Sequence, residues 1–228
     1  MIKDNILEVR EKISNAAIKA GRKPEDVELI AVSKTVGPEE VREAFACGQV
    51  AFAENRVQKL LEKFDGLPDI KDNISWHLIG QLQTNKIKYC ADKVVLIHSI
   101  DRINLAEELS KFAVKKGITV SGLLEVNVSG EESKTGMLPS DVDAFLEKFA
   151  KLPDISLKGL MTMAPFEATE NELHRIFSAA RELSEKIRGM NIPNAPMGEL
   201  SMGMSGDYEI AVSEGATICR VGTAIWKN

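Results

Sequence analysis

Lys34 stands directly after a short apolar run, Val27-Glu28-Leu29-Ile30-Ala31-Val32-Ser33. If that run is a strand, its end carries an ammonium to the rim of a sheet. There a desolvated amine with a depressed pKa can form a Schiff base with a carbonyl. The plainer reading is a solvated lysine just past a strand end. A second group lies near the C-terminus, where SMGMSGDYEIAVSEGA places Ser205 and Gly206 at the start of a helix and RVGT places Gly222 and Thr223 just after a last strand. Glycine lets backbone N–H groups approach an anion, and Ser and Thr add hydroxyl donors. The same residues also read as an N-cap and turn glycines, since neither a P-loop nor a GxGxxG pattern is present. Other polar residues end apolar runs: Glu54-Asn55, His77, His98-Ser99, Asn127, Thr162, Ser201 and Arg220.

The elements that must position these groups follow one rhythm. Ile2, Ile6, Val9, Ile13, Ala16 and Ala20 recur at helical spacing and make an extra N-terminal helix. Strands are then expected at 27–33, 50–55, 75–80, 93–100, 119–128, 155–163, 198–203 and 217–222, each but the last leading into a helix. The helices are expected from Pro38 to about Cys47, over 56–65 and 82–91, after an N-cap at Asp101, after a Ser140/Asp143 capping box, after a Thr169/Glu172 capping box, and near 207–214. Eight units of about 25 residues argue for a parallel sheet closed into a (β/α)8 TIM barrel, with an open doubly wound sheet as the alternative. No Pro/Gly/Ser-rich linker interrupts the pattern, so residues 1–228 are expected to form a single domain. In such a barrel the strand ends share one face. A strand-end lysine opposite a phosphate cradle after the seventh and eighth strands then describes a pyridoxal phosphate site.

Composition narrows the function classes. The 228 residues carry 29 Lys+Arg against 34 Asp+Glu, a formal net charge of −5. A net acidic chain without a long basic run argues against nucleic acid or an anionic membrane as partner. The 44% hydrophobic and 28% charged fractions are those of an ordinary globular protein, which excludes disordered and collagen-like architectures. Residues 1–20 have no continuous apolar stretch and do not read as a signal peptide, and no run approaches the roughly 18 apolar residues of a membrane helix. Cys47, Cys90 and Cys219 lack metal or CxxC spacing and read as free thiols in a reducing cytoplasm. His98 and His174 read as structural or solvated. His77, alternating with Ile79, is either a core histidine or a pocket residue. No long apolar face is left over, so a monomer is expected.

Six blocks carry a resemblance: AVSKT (31–35), ENRVQ (54–58), WHLIGQLQTNK (76–86), GLMTM (159–163), LSMGMSGDYEIAVSEGAT (200–217) and RVGTAIW (220–226). In this order they closely resemble the pyridoxal phosphate homeostasis protein family, single barrels related to the N-terminal domain of alanine racemase (fold-type III). Ala53 departs from the glycine expected there, which bears on local backbone fit. The resemblance implies that Lys34 holds pyridoxal 5'-phosphate as a covalent aldimine. It implies that Ser205, Gly206, Gly222 and Thr223 bind the phosphate, that Asn55, His77, Met161 and Ser201 line the pocket, and that Arg220 lies near the pyridine nitrogen. It further implies a carrier that maintains vitamin B6 pools, with apo forms of pyridoxal phosphate-dependent enzymes as partners and no catalytic residues. A small amino-acid racemase is the alternative, though the only tyrosines, Tyr89 and Tyr208, are poorly suited to act as its second acid/base. A barrel for another phosphorylated ligand such as flavin mononucleotide is a third. The polar segment SGEESKTGMLP (129–139) is expected to be a mobile flap, with Lys134 either a solvated lysine or a secondary amine for the cofactor.

Overall fold

Eight short β-rich runs become parallel strands that close on themselves: β1 (Glu28–Val32), β2 (Ala51–Glu54), β3 (Ser75–Leu78), β4 (Leu96–Ile100), β5 (Val120–Glu125), β6 (Ile155–Met161), β7 (Glu199–Ser201) and β8 (Ile218–Val221). This computed structural model describes residues 1–131 and 133–227. Closure is made by β1 against β8, with Glu28 to Ala31 in register with Ile218 to Val221. The expected barrel is therefore present, and the open sheet is not. Helices α1 (Ile2–Lys19), α2 (Pro38–Ala46), α3 (Val57–Gly66), α4 (Ile87–Cys90), α5 (Ile103–Lys116), α6 (Val142–Phe149), α7 (Glu170–Gly189), α8 (Tyr208–Ser213) and α9 (Thr223–Trp226) surround it.

Two apolar clusters hold the fold. The larger fills the space between strands and helices. The smaller contains Ile30, Val32, Ala51, Ala53, Leu96, Leu123, Met161 and Ile218 and plugs the barrel itself. Side chains alternate along a strand, so the residues two beyond Leu96, Leu123 and Ile218, namely His98, Glu125 and Arg220, turn into the same interior nearer the C-terminal ends. Lateral register adds His77 beside Ala53 and Ser201 beside Met161. The barrel is thus apolar below and polar above. Ala53 is fully buried in the plug, where its methyl packs without disturbing the β2 ladder.

Several local expectations are corrected. The helix expected over 82–91 is a 3-10 turn at Thr84–Lys86 followed by the single turn of α4. Asp101 does not cap α5; Arg102 takes that position and Asp101 receives its guanidinium instead. The Ser140/Asp143 box is absent because a 3-10 turn, Pro139–Asp141, leads straight into α6. The Thr169/Glu172 box is present, with Thr169 N donating to Glu172 Oε2 at 2.8 Å. Strand β8 is followed by α9, whose Trp226 Nε1 donates to Val32 O at 2.7 Å and ties the last turn to the end of β1.

Gly159 marks the tightest strand approach. A Cβ there would sit 1.8 Å from the carbonyl oxygen of Glu199 on β7, which is only three residues long. Gly159→Ala must therefore push β7 outward, and a loss of about 3 kcal/mol is expected. Urea unfolding measures it, with Gly189→Ala as the control because nothing lies within 4 Å of a Cβ there. Equal midpoints for the two variants would contradict this packing.

Candidate functional site

At the C-terminal ends of the strands lies a cavity of about 660 Å³. Lys34, Asn55, Met161, Ser205, Gly206, Arg220, Gly222 and Thr223 all line it, so one basin brings together eight of the ten residues expected from sequence. His77 and Ser201 are not among its walls. They are buried in the polar layer beneath, at 3% and 0% exposure. Gly80, close to the expected end of the third strand, and Thr135, in the segment expected over the mouth, also line the basin, as do Glu125, Gln81, Phe166 and Asp207, which were not anticipated. For Glu125 a signal existed: an acid two residues after Leu123, on the inward face of a strand otherwise apolar there.

Lys34 sits in the turn after β1 and is exposed, in line with the plainer of its two sequence readings. Behind it lies a buried ion pair that the sequence did not disclose. Lys63 of α3 donates to a carboxylate oxygen of Glu54 and, at 2.9 Å, to the carbonyl of Ser33. The Ser33 hydroxyl donates to the same Glu54 oxygen at 2.7 Å. The residue before Lys34 is therefore fixed at both its carbonyl and its side chain. The Lys63 and Glu54 side chains are 2% and 0% exposed.

Ser205 and Gly206 lie in the turn before α8, not at its first residue, and Asp207 takes the N-cap position. The Ser205 hydroxyl accepts from Gly222 N and Ala224 N, each at 3.3 Å, and so joins the loop after β7 to the one after β8. The N–H groups of Ser205 and Gly206 have no acceptor among the described residues, and a Cβ on Gly206 would meet nothing within 4 Å. Donors are thus presented to the basin at an open position.

Arg220 forms the floor. Its Nη1 donates to Ser201 Oγ at 2.6 Å and its Nη2 to Thr162 O at 3.0 Å. Both acceptors are neutral, so a buried cation faces the basin. Burial lowers its pKa from the ordinary value, while Asp207, Cys219 and Glu125 oppose that from a distance. Burial raises the Glu125 carboxyl, against a hydrogen bond from Thr135, and likewise raises Asp207. Beneath them, desolvation lowers His77 to about 4 and pulls His98 well below its usual value.

The segment expected to be a mobile flap carries hydrogen bonds to the barrel at its described residues, 129–131 and 133–139; Glu132 lies outside the described residues. Asn127 organises the segment: its Nδ2 donates to Glu131 O at 2.8 Å, and its Oδ1 accepts from Ser129 Oγ and Gly130 N. Met137 N then returns to Glu125 O at 2.8 Å. Lys134 lines a neighbouring groove and not the basin.

A closed parallel barrel with an amine at the mouth and a guanidinium at the floor defines the class, and the family model for the N-terminal domain of alanine racemase matches residues 3–228. A relative from Aquifex aeolicus (strain VF5), a pyridoxal phosphate homeostasis protein, is 43% identical over 223 residues, covering 98% of this chain and 96% of its own. The chain belongs to the pyridoxal phosphate homeostasis protein family, within the wider alanine racemase N-terminal domain family. A crystal structure of an unknown protein from Bifidobacterium adolescentis is 41% identical with a TM-score of 0.93, covering 99% of this chain and 94% of that one. PipY of Synechococcus elongatus PCC7942, solved with PLP bound, is 35% identical with a TM-score of 0.87, covering 99% of this chain and 100% of that one.

Two outcomes follow from these buried groups. Lys63→Met leaves the Glu54 carboxylate without its counter-charge, and a loss of about 3–5 kcal/mol in urea unfolding is expected. Adding Glu54→Gln should recover part of it, and no recovery would show that the pair is not the cause. Separately, His77 stays neutral in the fold but protonates near 6.5 when unfolded, so the unfolded chain binds more protons between about pH 4 and 6.5. Its contribution is complete above that window and is lost as pH falls through it, to a total of roughly 3 kcal/mol. His77→Asn should flatten the wild-type dependence of stability on pH between 7.5 and 4.5, and identical slopes would refute the assignment.

Proposed function

We propose that this protein holds pyridoxal 5'-phosphate in the basin, covalently through Lys34 Nζ, and hands it on without substantial turnover of amino acids. The observation that carries this reading is that Lys34, the turn at Ser205-Gly206 and the Arg220 guanidinium all open on one cavity of about 660 Å³. Such a donor set fits a phosphorylated pyridine aldehyde. The amine meets the aldehyde carbon, unengaged N–H groups and the Thr223 hydroxyl suit a phosphate, and a buried cation suits a ring acceptor. When bound, the cofactor would supply an aldehyde and an electron-withdrawing ring. Names of relatives and the PLP bound to PipY support the same ligand.

Carriage is favoured over catalysis by what surrounds the amine. Arg220 is a donor only and cannot give up its proton there, so it would keep a ring nitrogen unprotonated and weaken the ring as an electron sink. Neither a histidine nor a tyrosine lines the basin among the described residues; Tyr208 packs into the outer core. Of the acids present, Asp207 accepts from Met204 N and Glu125 Oε1 accepts from Thr135, while Glu125 Oε2 is buried without a partner among the described residues. We further infer one monomeric barrel domain working in the cytoplasm, with apo-enzymes that need the cofactor as recipients. No helix among the described residues is long and apolar enough to cross a membrane.

Loading with pyridoxal phosphate should give a violet band that borohydride bleaches, with the label mapping to the Lys34 peptide. Lys34→Ala should lose both. Label on another lysine would sink the site assignment, and racemisation or transamination near 1 per second or faster would sink the carrier reading.

A further inference from the structure

A hydrogen-bond chain crosses the barrel beneath the basin. His77 Nδ1 lies 3.0 Å from His98 Nε2, His98 Nδ1 lies 3.0 Å from Ser201 Oγ, and Arg220 Nη1 donates to Ser201 Oγ at 2.6 Å. These four side chains come from β3, β4, β7 and β8, and His77 Nε2 at the far end is buried with no partner among the described residues.

The protons in this chain can run only one way at low cost. Arg220 has donors alone, so Ser201 Oγ must accept from it. If His98 Nδ1 also carried a proton, Ser201 would accept twice, and its own buried O–H would have no acceptor among the described residues. If the Ser201 O–H instead donates to His98 Nδ1, the His98 proton sits on Nε2 and donates to His77 Nδ1. The His77 proton then sits on its own Nε2, the one unpaired end. This arrangement leaves one buried polar group unsatisfied instead of two. It also requires both rings to be neutral. The charged and titrating groups acting on His98 are His77 and Arg220, and both disfavour a further proton, as does burial.

We propose that His98, backed by His77, is a positioning residue of the basin: by accepting the Ser201 O–H hydrogen bond it leaves the Ser201 oxygen turned to Arg220 and so holds the guanidinium in place to donate toward a ring nitrogen. The second anchor is Thr162 O, 3.0 Å from Nη2, and two anchors on different nitrogens set the plane of the guanidinium. Reversing the chain would make His98 compete with Arg220 for the same oxygen. The role rests on the reading that the basin takes pyridoxal phosphate with its ring nitrogen at Arg220.

Two measurements test it. In the unliganded protein labelled with ¹⁵N-histidine, two-bond NMR correlations should show His77 and His98 both protonated on Nε2. A proton on His98 Nδ1 overturns the chain and leaves the ligand reading intact. Affinities are then compared for pyridoxal phosphate and for its benzene analogue, in which CH replaces the ring nitrogen. His98→Leu should weaken pyridoxal phosphate about tenfold and leave the analogue unchanged, and His98→Asn, which keeps an acceptor for Ser201, should restore most of the loss. Equal weakening of both ligands, or no weakening, would reduce His98 to a packing residue. If the wild type does not distinguish the two ligands, Arg220 does not meet the ring nitrogen, and the positioning role falls with that assignment.

Discussion

The constraint on which the upper barrel depends is a guanidinium buried to 3% exposure with no carboxylate bonded to it among the described residues. A buried cation needs hydrogen bonds on its donors, and what it does not find inside it presents to whatever enters the cavity. Ser201 and Thr162 supply two acceptors from β7 and from the residue after β6. In the proposed arrangement the Ser201 hydroxyl donates to His98, and His98 donates in turn to His77. The polar layer is therefore one connected system, and the apolar plug below it lets that layer exclude water from its underside.

A second buried charge system stands across the same mouth. Lys63 and Glu54 carry their charges entirely inside, between α3 and β2, and spend their hydrogen bonds on Ser33. A strand end would ordinarily fray where the ladder stops. Here the residue preceding Lys34 is held by a lysine, a carboxylate and the β2 backbone, while Lys34 itself remains exposed. Rigid support below and exposure above suit the proposed role of Lys34, an amine that captures an aldehyde and releases it. Trp226 adds a further restraint by bonding the carbonyl of Val32, so the last turn of the chain braces the first strand.

The loops after β7 and β8 work as one piece because Ser205 accepts N–H groups from the second loop. That contact explains why Ser205 and Gly222, seventeen positions apart, share a wall of the basin. The segment after β5 is also tied down, through Asn127 and through Thr135 on Glu125. The mouth is thus bounded by hydrogen-bonded turns, and Phe166, 96% exposed, projects from its rim.

Much of this was written in the sequence because it depends on local pattern. Alternating β and α segments of near-constant length fix an eight-unit parallel barrel, and the strand-end rule then places Lys34, Asn55, Arg220 and the glycine-rich turns on one face. The Thr169/Glu172 cap was legible for the same reason, since three residues decide it. What tertiary structure alone decided are interactions between residues that share no local pattern. Lys63 reads as one more charged position on an amphipathic helix, and only the packing of α3 on β2 buries it against Glu54. The family resemblance implied that His77 and Ser201 are pocket walls, while the residues alone left His77 open between core and pocket. The stagger of the closed barrel sets them one layer lower, where they meet His98 and Arg220 and not the cavity. Sequence determines which side chains face inward, because alternation is a property of each strand. Height within the barrel is set by how eight strands register against one another, and that is settled only when the sheet closes.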